Sequence, residues 1–204
     1  MVLINFLIDK IHNYFKNHIN LSEYDSIKLK YILEVILNEL SKIIVLFLIF
    51  SFLNEQRSFI YCLISLIPLR AYTGGIHYKT YMGCLIFSGI FFLISIYLSN
   101  KFSPNYFNVM IQLVFSLLVI VLLAPITSKT RPKYSNKKIL KFKFFSILIV
   151  LFHFIMYFAT KNNPYFAKSI WVITLQCIQL LIAKGGLLYE KSKNDFHEAN
   201  KLSW

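Results

Sequence analysis

The chain has 204 residues, 57% of them hydrophobic and only 15% charged, with 20 phenylalanines and a net charge of +13. A soluble domain carries about a quarter charged residues, whereas here all nine acids lie outside residues 56–189. A soluble core of that length needs acids to cover its surface, so the composition excludes a soluble protein and predicts an integral membrane protein. Three cysteines (Cys62, Cys84, Cys177) without a CxxC pair offer neither a disulfide framework nor a zinc site. The N-terminal run lacks the basic region and small-residue cleavage site of a signal peptide.

In chain order, residues 1–20 place Ile4, Leu7, Ile8, Ile11 and Phe15 on one helical face and Asp9, Lys10, Asn13 and Lys16 on the other. That period predicts an amphipathic helix in the cytoplasmic interface, the plainer alternative being a helix packed on other helices. Ser22 with Asp25 three residues on reads as a capping box that starts a second helix, fully apolar over residues 43–53. Further apolar segments cover residues 58–69, 82–99, 107–126, 143–160 and 165–183. A span needs about 20 residues. The expectation is therefore an all-α, polytopic membrane protein of about six transmembrane helices, the first two short or partly polar, forming a single domain over residues 1–204. Residues 128–143 form a basic cytoplasmic loop in this reading and residues 184–204 a cytoplasmic tail. With the N-terminus inside, eighteen of the 22 Lys and Arg residues fall on the cytoplasmic side. The positive-inside rule then places both termini and the segment around Gly74 in the cytoplasm.

The most unusual segment is RAYTGGIHYKTYMGC, residues 70–84. A His beside a Cys is a candidate nucleophile pair, in which imidazole takes the thiol proton and the thiolate attacks an acyl carbon. On one continuous helix, residues seven apart sit about 10.5 Å apart along the axis, too far for His77 and Cys84 to meet. The pairing requires a break, and Gly74–Gly75 and Gly83 offer two. A helix starting near Gly83 would set Cys84 at its N-terminus, where the macrodipole favours a thiolate and backbone amides can form an oxyanion hole. The plainer alternative makes Cys84 a small core residue and His77 a loop polar group.

The motif residues Arg70, Gly74, Gly75, His77 and Cys84, with Pro125 and Lys129 in LLAPITSK, resemble the accessory gene regulator protein B (AgrB) family of membrane peptidases. The resemblance covers nearly the whole chain. It implies a cysteine endopeptidase of quorum sensing that removes the C-terminal tail of an AgrD-type propeptide. His77 is then the general base and Cys84 the nucleophile; the resulting thioester is captured by a Cys or Ser of the precursor, closing a thiolactone or lactone. The resemblance further implies a homodimer and an acidic substrate tail, with Arg70 and Lys129 as its contacts. It calls for no cofactor, no metal and no nucleic acid.

No carboxylate within residues 56–189 can complete a triad. Glu34, Glu39 or Glu55 could reach only by helix packing; an amide such as Gln56 or Asn54 is the other choice, and a dyad is favoured. The seven charges of residues 129–143 also act as a topology signal and contact anionic lipid. Pro125 reads as a helix stop, His153 as an interior group bonded to a neighbouring helix, and Cys62 and Cys177 as packing residues. The rival functional reading is a transporter of the signal peptide without proteolysis.

Overall fold

In the computed structural model, residues 2–18, 22–76, 80–102, 105–126, 134–160 and 163–201 are described, except for the side chains of residues 2–5, 7, 17, 18 and 188–201. They form seven helices: α1 (Val2–His18), α2 (Glu23–Phe52), α3 (Gln56–Thr73), α4 (Tyr81–Lys101), α5 (Tyr106–Leu123), α6 (Asn136–Ala159) and α7 (Pro164–Lys201). The described residues contain no strand; one isolated bridge joins Gly74 to Ile126. Contacts divide the chain into two compact units, residues 1–56 and 57–204, where the sequence suggests one.

The first unit is a helical hairpin. Ser22 caps α2 by accepting from the Asp25 amide at 3.1 Å, as the capping-box pattern predicts. Lys30 pairs with Asp9 at 2.8 Å, and His12 bonds the Ser26 hydroxyl at 2.9 Å. Partner numbers rise on one helix as they fall on the other, so α1 runs back along α2, and Ile8 is buried at 1% exposure. The hydrogen bonds that join α1 to α2 come from the polar side chains Asp9 and His12, and on the apolar face Ile8 is buried while Phe15 stays exposed. Asn54 takes a left-handed φ of 57° after α2. Its amide bonds Ser51 O, and that of Glu55 bonds Phe50 O, a Schellman stop with Asn in the usual Gly position.

The second unit is built inside out. On α4 the exposed residues include Met82, Ile86, Ile90, Leu93, Ile94 and Tyr97, while Ser95 and Ser99 are buried. Ser116 and Ser146 are likewise fully buried on α5 and α6. An apolar exterior, with small polar residues set among a core that includes Leu69, Ile120, Phe154 and Ile173, is the pattern for lipid solvent, where small residues let helices approach. Most of the buried hydroxyls bond the carbonyl four residues back, whereas Ser116 Oγ has no partner among the described residues. Ser95 donates to Phe91, Ser146 to Phe142 and Thr174 to Ile170, each at 2.8–2.9 Å, which removes the cost of an unbonded group in an apolar medium. His153 does the same with Ile149 O at 2.8 Å, so its partner is its own helix and not a neighbour. Cys62 and Cys177 are buried, as packing residues should be.

Among the described residues, four helices are long and apolar enough to cross a membrane: α4, α5, α6 and residues Pro164–Leu187 of α7. The fold is an all-α, polytopic membrane protein. Six crossings is an approximate count, and α2 and α3, the two expected to be short or partly polar, are not among these four. α7 is the central helix, with 61% of its apolar window buried against 22–28% for the other three. α3 reaches it through the Ser65–Ser169 hydroxyl pair at 2.7 Å and a stacked Tyr61–Tyr165 pair. Helix α6 starts at Asn136, so Lys137, Lys138, Lys141 and Lys143 belong to its first two turns and not to a loop.

Candidate active site

Helix α4 begins at Tyr81, two residues earlier than the Gly83 break suggests. Thr80 is its cap: the Thr80 hydroxyl accepts from the Gly83 amide at 3.2 Å, and its carbonyl from the Cys84 amide at 3.1 Å. The discontinuity between His77 and Cys84 therefore falls at Thr80. Gly83 lies inside the first turn, with its N–H occupied by the cap, so it is not the open oxyanion donor the sequence suggests. Cys84 sits at the end of that turn and is partly exposed, while Cys62 and Cys177 are buried. Of the three thiols, Cys84 is the accessible one.

The chain approaches this turn from α3. Gly74 follows the helix with φ 75° and Gly75 has φ 152°, backbone conformations that L side chains rarely adopt. Gly74 is also sterically required. A Cβ there would stand 2.0 Å from the Ile126 carbonyl oxygen, because Ile126 donates its N–H to Thr73 O at 2.9 Å and draws the two backbones together. Pro125 lies just beyond the end of α5 at Leu123, as a helix stop.

Two side chains add to this backbone bond. Gln176 of α7, fully buried, donates through Nε2 to Gly74 O at 2.8 Å and to Thr73 Oγ1 at 3.2 Å. Arg70, in the last turn of α3, donates through Nη2 to Ile76 O at 2.6 Å. Arg70 thus braces the residue before His77, a positioning contact that sequence reasoning did not assign it. Tyr72 stacks on Phe145 and meets Phe142 edge-on, fixing the end of α3 against α6. His77 and Lys129 lie outside the described residues.

The site brings together the ends of α3 and α5 and the first half of α7, and α4 starts six residues beyond Gly75. Sequence reasoning missed Gln176 and its neighbour Gln179, which is also buried. The available signal was two glutamines three apart in the otherwise apolar run WVITLQCIQLLIA, a spacing that puts both on one helix face. Charge near the site is all of one sign on α6. Lys138 lies over the Tyr134 ring at 4.6 Å, and Lys143 donates to Val121 O at 2.6 Å near the end of α5. Cations at a helix N-terminus oppose its macrodipole, so the cluster does not stabilise α6 itself.

No solved structure matches the chain. It is 34% identical to an AgrB-like protein of Clostridium beijerinckii, over 95% of this chain and 98% of that one. It is 28% identical to accessory gene regulator protein B of Staphylococcus intermedius, over 89% and 95%. The family profile described as accessory gene regulator B matches residues 8–180, and with that extent of agreement the chain belongs to the accessory gene regulator B family, whose members act in quorum sensing.

Proposed function

We propose that this protein is a membrane cysteine endopeptidase that cleaves an AgrD-type propeptide through a thioester on Cys84. The observation that carries the reading is the place of Cys84: a partly exposed thiol on the first turn of α4, next to a glycine-containing loop fastened from three sides, in a chain whose other two cysteines are buried.

In this mechanism His77 accepts the Cys84 thiol proton and the sulfur attacks a precursor carbonyl. The C–N bond breaks, the proton passes to the departing amine, and the C-terminal tail leaves. The amino-terminal part stays as a thioester. A Cys or Ser of the precursor then attacks the same carbonyl, its proton returns to Cys84, and a thiolactone or lactone closes. Exchange between thioesters retains acyl activation, so no nucleotide is consumed. The acidic tail is held by the basic first turns of α6 together with Lys129, and Arg70 sets the loop ahead of His77. Both termini and the catalytic loop face the cytoplasm, the basic segment also contacts anionic lipid, and the protein works as a homodimer.

The test is intact-mass analysis of purified protein in vesicles with a precursor of this class. A precursor fragment bound to Cys84 by a hydroxylamine-labile bond, absent in Cys84→Ala and His77→Ala, is the expected result. Cleavage by Cys84→Ser at the unaltered rate would remove the nucleophile assignment.

A further inference from the structure

Gln179 is 3% exposed and Gln176 is 0% exposed. Among the described residues neither polar atom of the Gln179 amide has a hydrogen-bond partner, nor does Oε1 of Gln176. Gln56 Oε1, Gln112 Oε1, Ser116 Oγ and Trp171 Nε1 are also buried without a partner, but it is the Gln176 and Gln179 amides that flank Gly75. A buried amide left unbonded is destabilising, and such groups persist where a ligand completes them. Both face the glycine pair: a Cβ on Gly75 would stand 3.4 Å from Gln176 Nε2 and 3.6 Å from Gln179 Oε1. Gly75 carries no side chain, so no Cβ stands between the loop backbone and the two amides.

We propose that Gln179, with Gln176 Oε1, is the subsite that holds the precursor's peptide backbone beside the bond to be cleaved. The inference rests on the peptidase reading and names a binding element for it. The chemistry selects the ligand class. The unmet inventory contains both N–H donors and C=O acceptors. A carboxylate or phosphate leaves both Oε1 atoms unmet, and an ammonium group leaves the Gln179 N–H donors unmet. A backbone amide offers a carbonyl and an N–H together, so it answers both. It is also neutral, which suits a wall without acids: a charge brought there would lose its hydration with no counter-charge on the wall. Gln176 is held in place by its bonds to Thr73 and Gly74, and Gln179 follows one turn further along α7.

The test compares wild type with Gln179→Met, which keeps the side-chain length and removes the amide. The expected result is an unchanged or higher melting temperature, a KM for precursor cleavage raised about 5- to 10-fold, and a kcat within about 2-fold. A precursor with an ester in place of the amide next to the cleaved bond should lose affinity for wild type and lose little more for Gln179→Met. A lower melting temperature with kcat and KM unchanged overturns the proposal in favour of a structural amide. A shifted acid limb of the kcat profile with KM unchanged overturns it in favour of an amide acting on His77. Wild type that cleaves, with Gln179→Met kinetically identical, removes this inference alone. Wild type that never cleaves the precursor removes the peptidase reading and this one with it.

Discussion

Replacing Gly74 by alanine tests whether the reactive loop is held by close backbone contact. A left-handed φ at a residue with a Cβ costs about 1–2 kcal/mol. The added Cβ would also sit 2.0 Å from the Ile126 carbonyl oxygen, which no rotamer change relieves, since both atoms are fixed to backbone. Ile126 must withdraw, and its N–H bond to Thr73 O at 2.9 Å is lost, at about 0.5–1.5 kcal/mol. The sum is about 1.5–3.5 kcal/mol against the closed loop. Gly185 is the control, because a Cβ there meets nothing within 4 Å and lies in helix, where Ala is favoured by up to about 1 kcal/mol. In nanodiscs, with unfolding followed by a fluorogenic maleimide reaching Cys62 and Cys177, Gly74→Ala should melt lower and cleave precursor more slowly. Gly185→Ala should melt no lower than wild type. A Gly74→Ala protein with unaltered melting and turnover would refute the close-approach argument.

Maleimide should label Cys84 in the folded protein, with Cys62 and Cys177 reacting about a hundredfold more slowly, at the rate the bundle opens; residue-resolved mass spectrometry reads the ratio. Ser65→Ala should cost only about 0.5–1 kcal/mol in thermal stability, because it removes the Ser169 bond while the backbone bonds of α3 remain. The Asp9 hydrogen bond and charge hold the Lys30 pKa above its ordinary 10.5. That contribution is therefore complete below 10.5 and fades only as pH passes the raised value. An NMR titration should show Asp9→Asn returning Lys30 toward the ordinary range, and the small contribution of this exposed pair should be lost at neutral pH.

The spans were legible because lipid imposes one requirement on every exposed position. The apolar segments at 82–99 and 107–126 become Tyr81–Lys101 and Tyr106–Leu123, within a turn at each end. The Ser22 cap was legible for a similar reason, since its partner lies three residues away. Helix ends set by a side chain not weighed were less so: Thr80 caps α4 and moves the break away from Gly83. The basic run from Lys137 reads as loop by charge, yet it is the first two turns of α6, where the aromatic rings of Tyr134 and Phe142 lie beneath Lys138. The contacts that fasten the site were hidden altogether. Gln176 meets Gly74 across 102 positions, and Ile126 meets Thr73 from the end of a different helix; periodicity within one helix carries no information about such pairs. The motif could mark Gly74 as special, but only the neighbouring backbone explains why.

The absence of carboxylates from residues 56–189 has a consequence for how an anion arrives. The fourteen Lys and Arg residues of that stretch have no acid within it to neutralise them, so it resembles an ion exchanger supplied without its own counter-ion. Whatever matches those charges comes from beyond the stretch: lipid phosphate, dissolved salt, or a passing acidic peptide. An incoming peptide tail then displaces mobile ions, and exchange of that kind gains entropy as small ions are released and weakens as salt is added. The same chain would hold an acidic partner firmly in dilute buffer and let it go in brine, with no conformational change to drive either step.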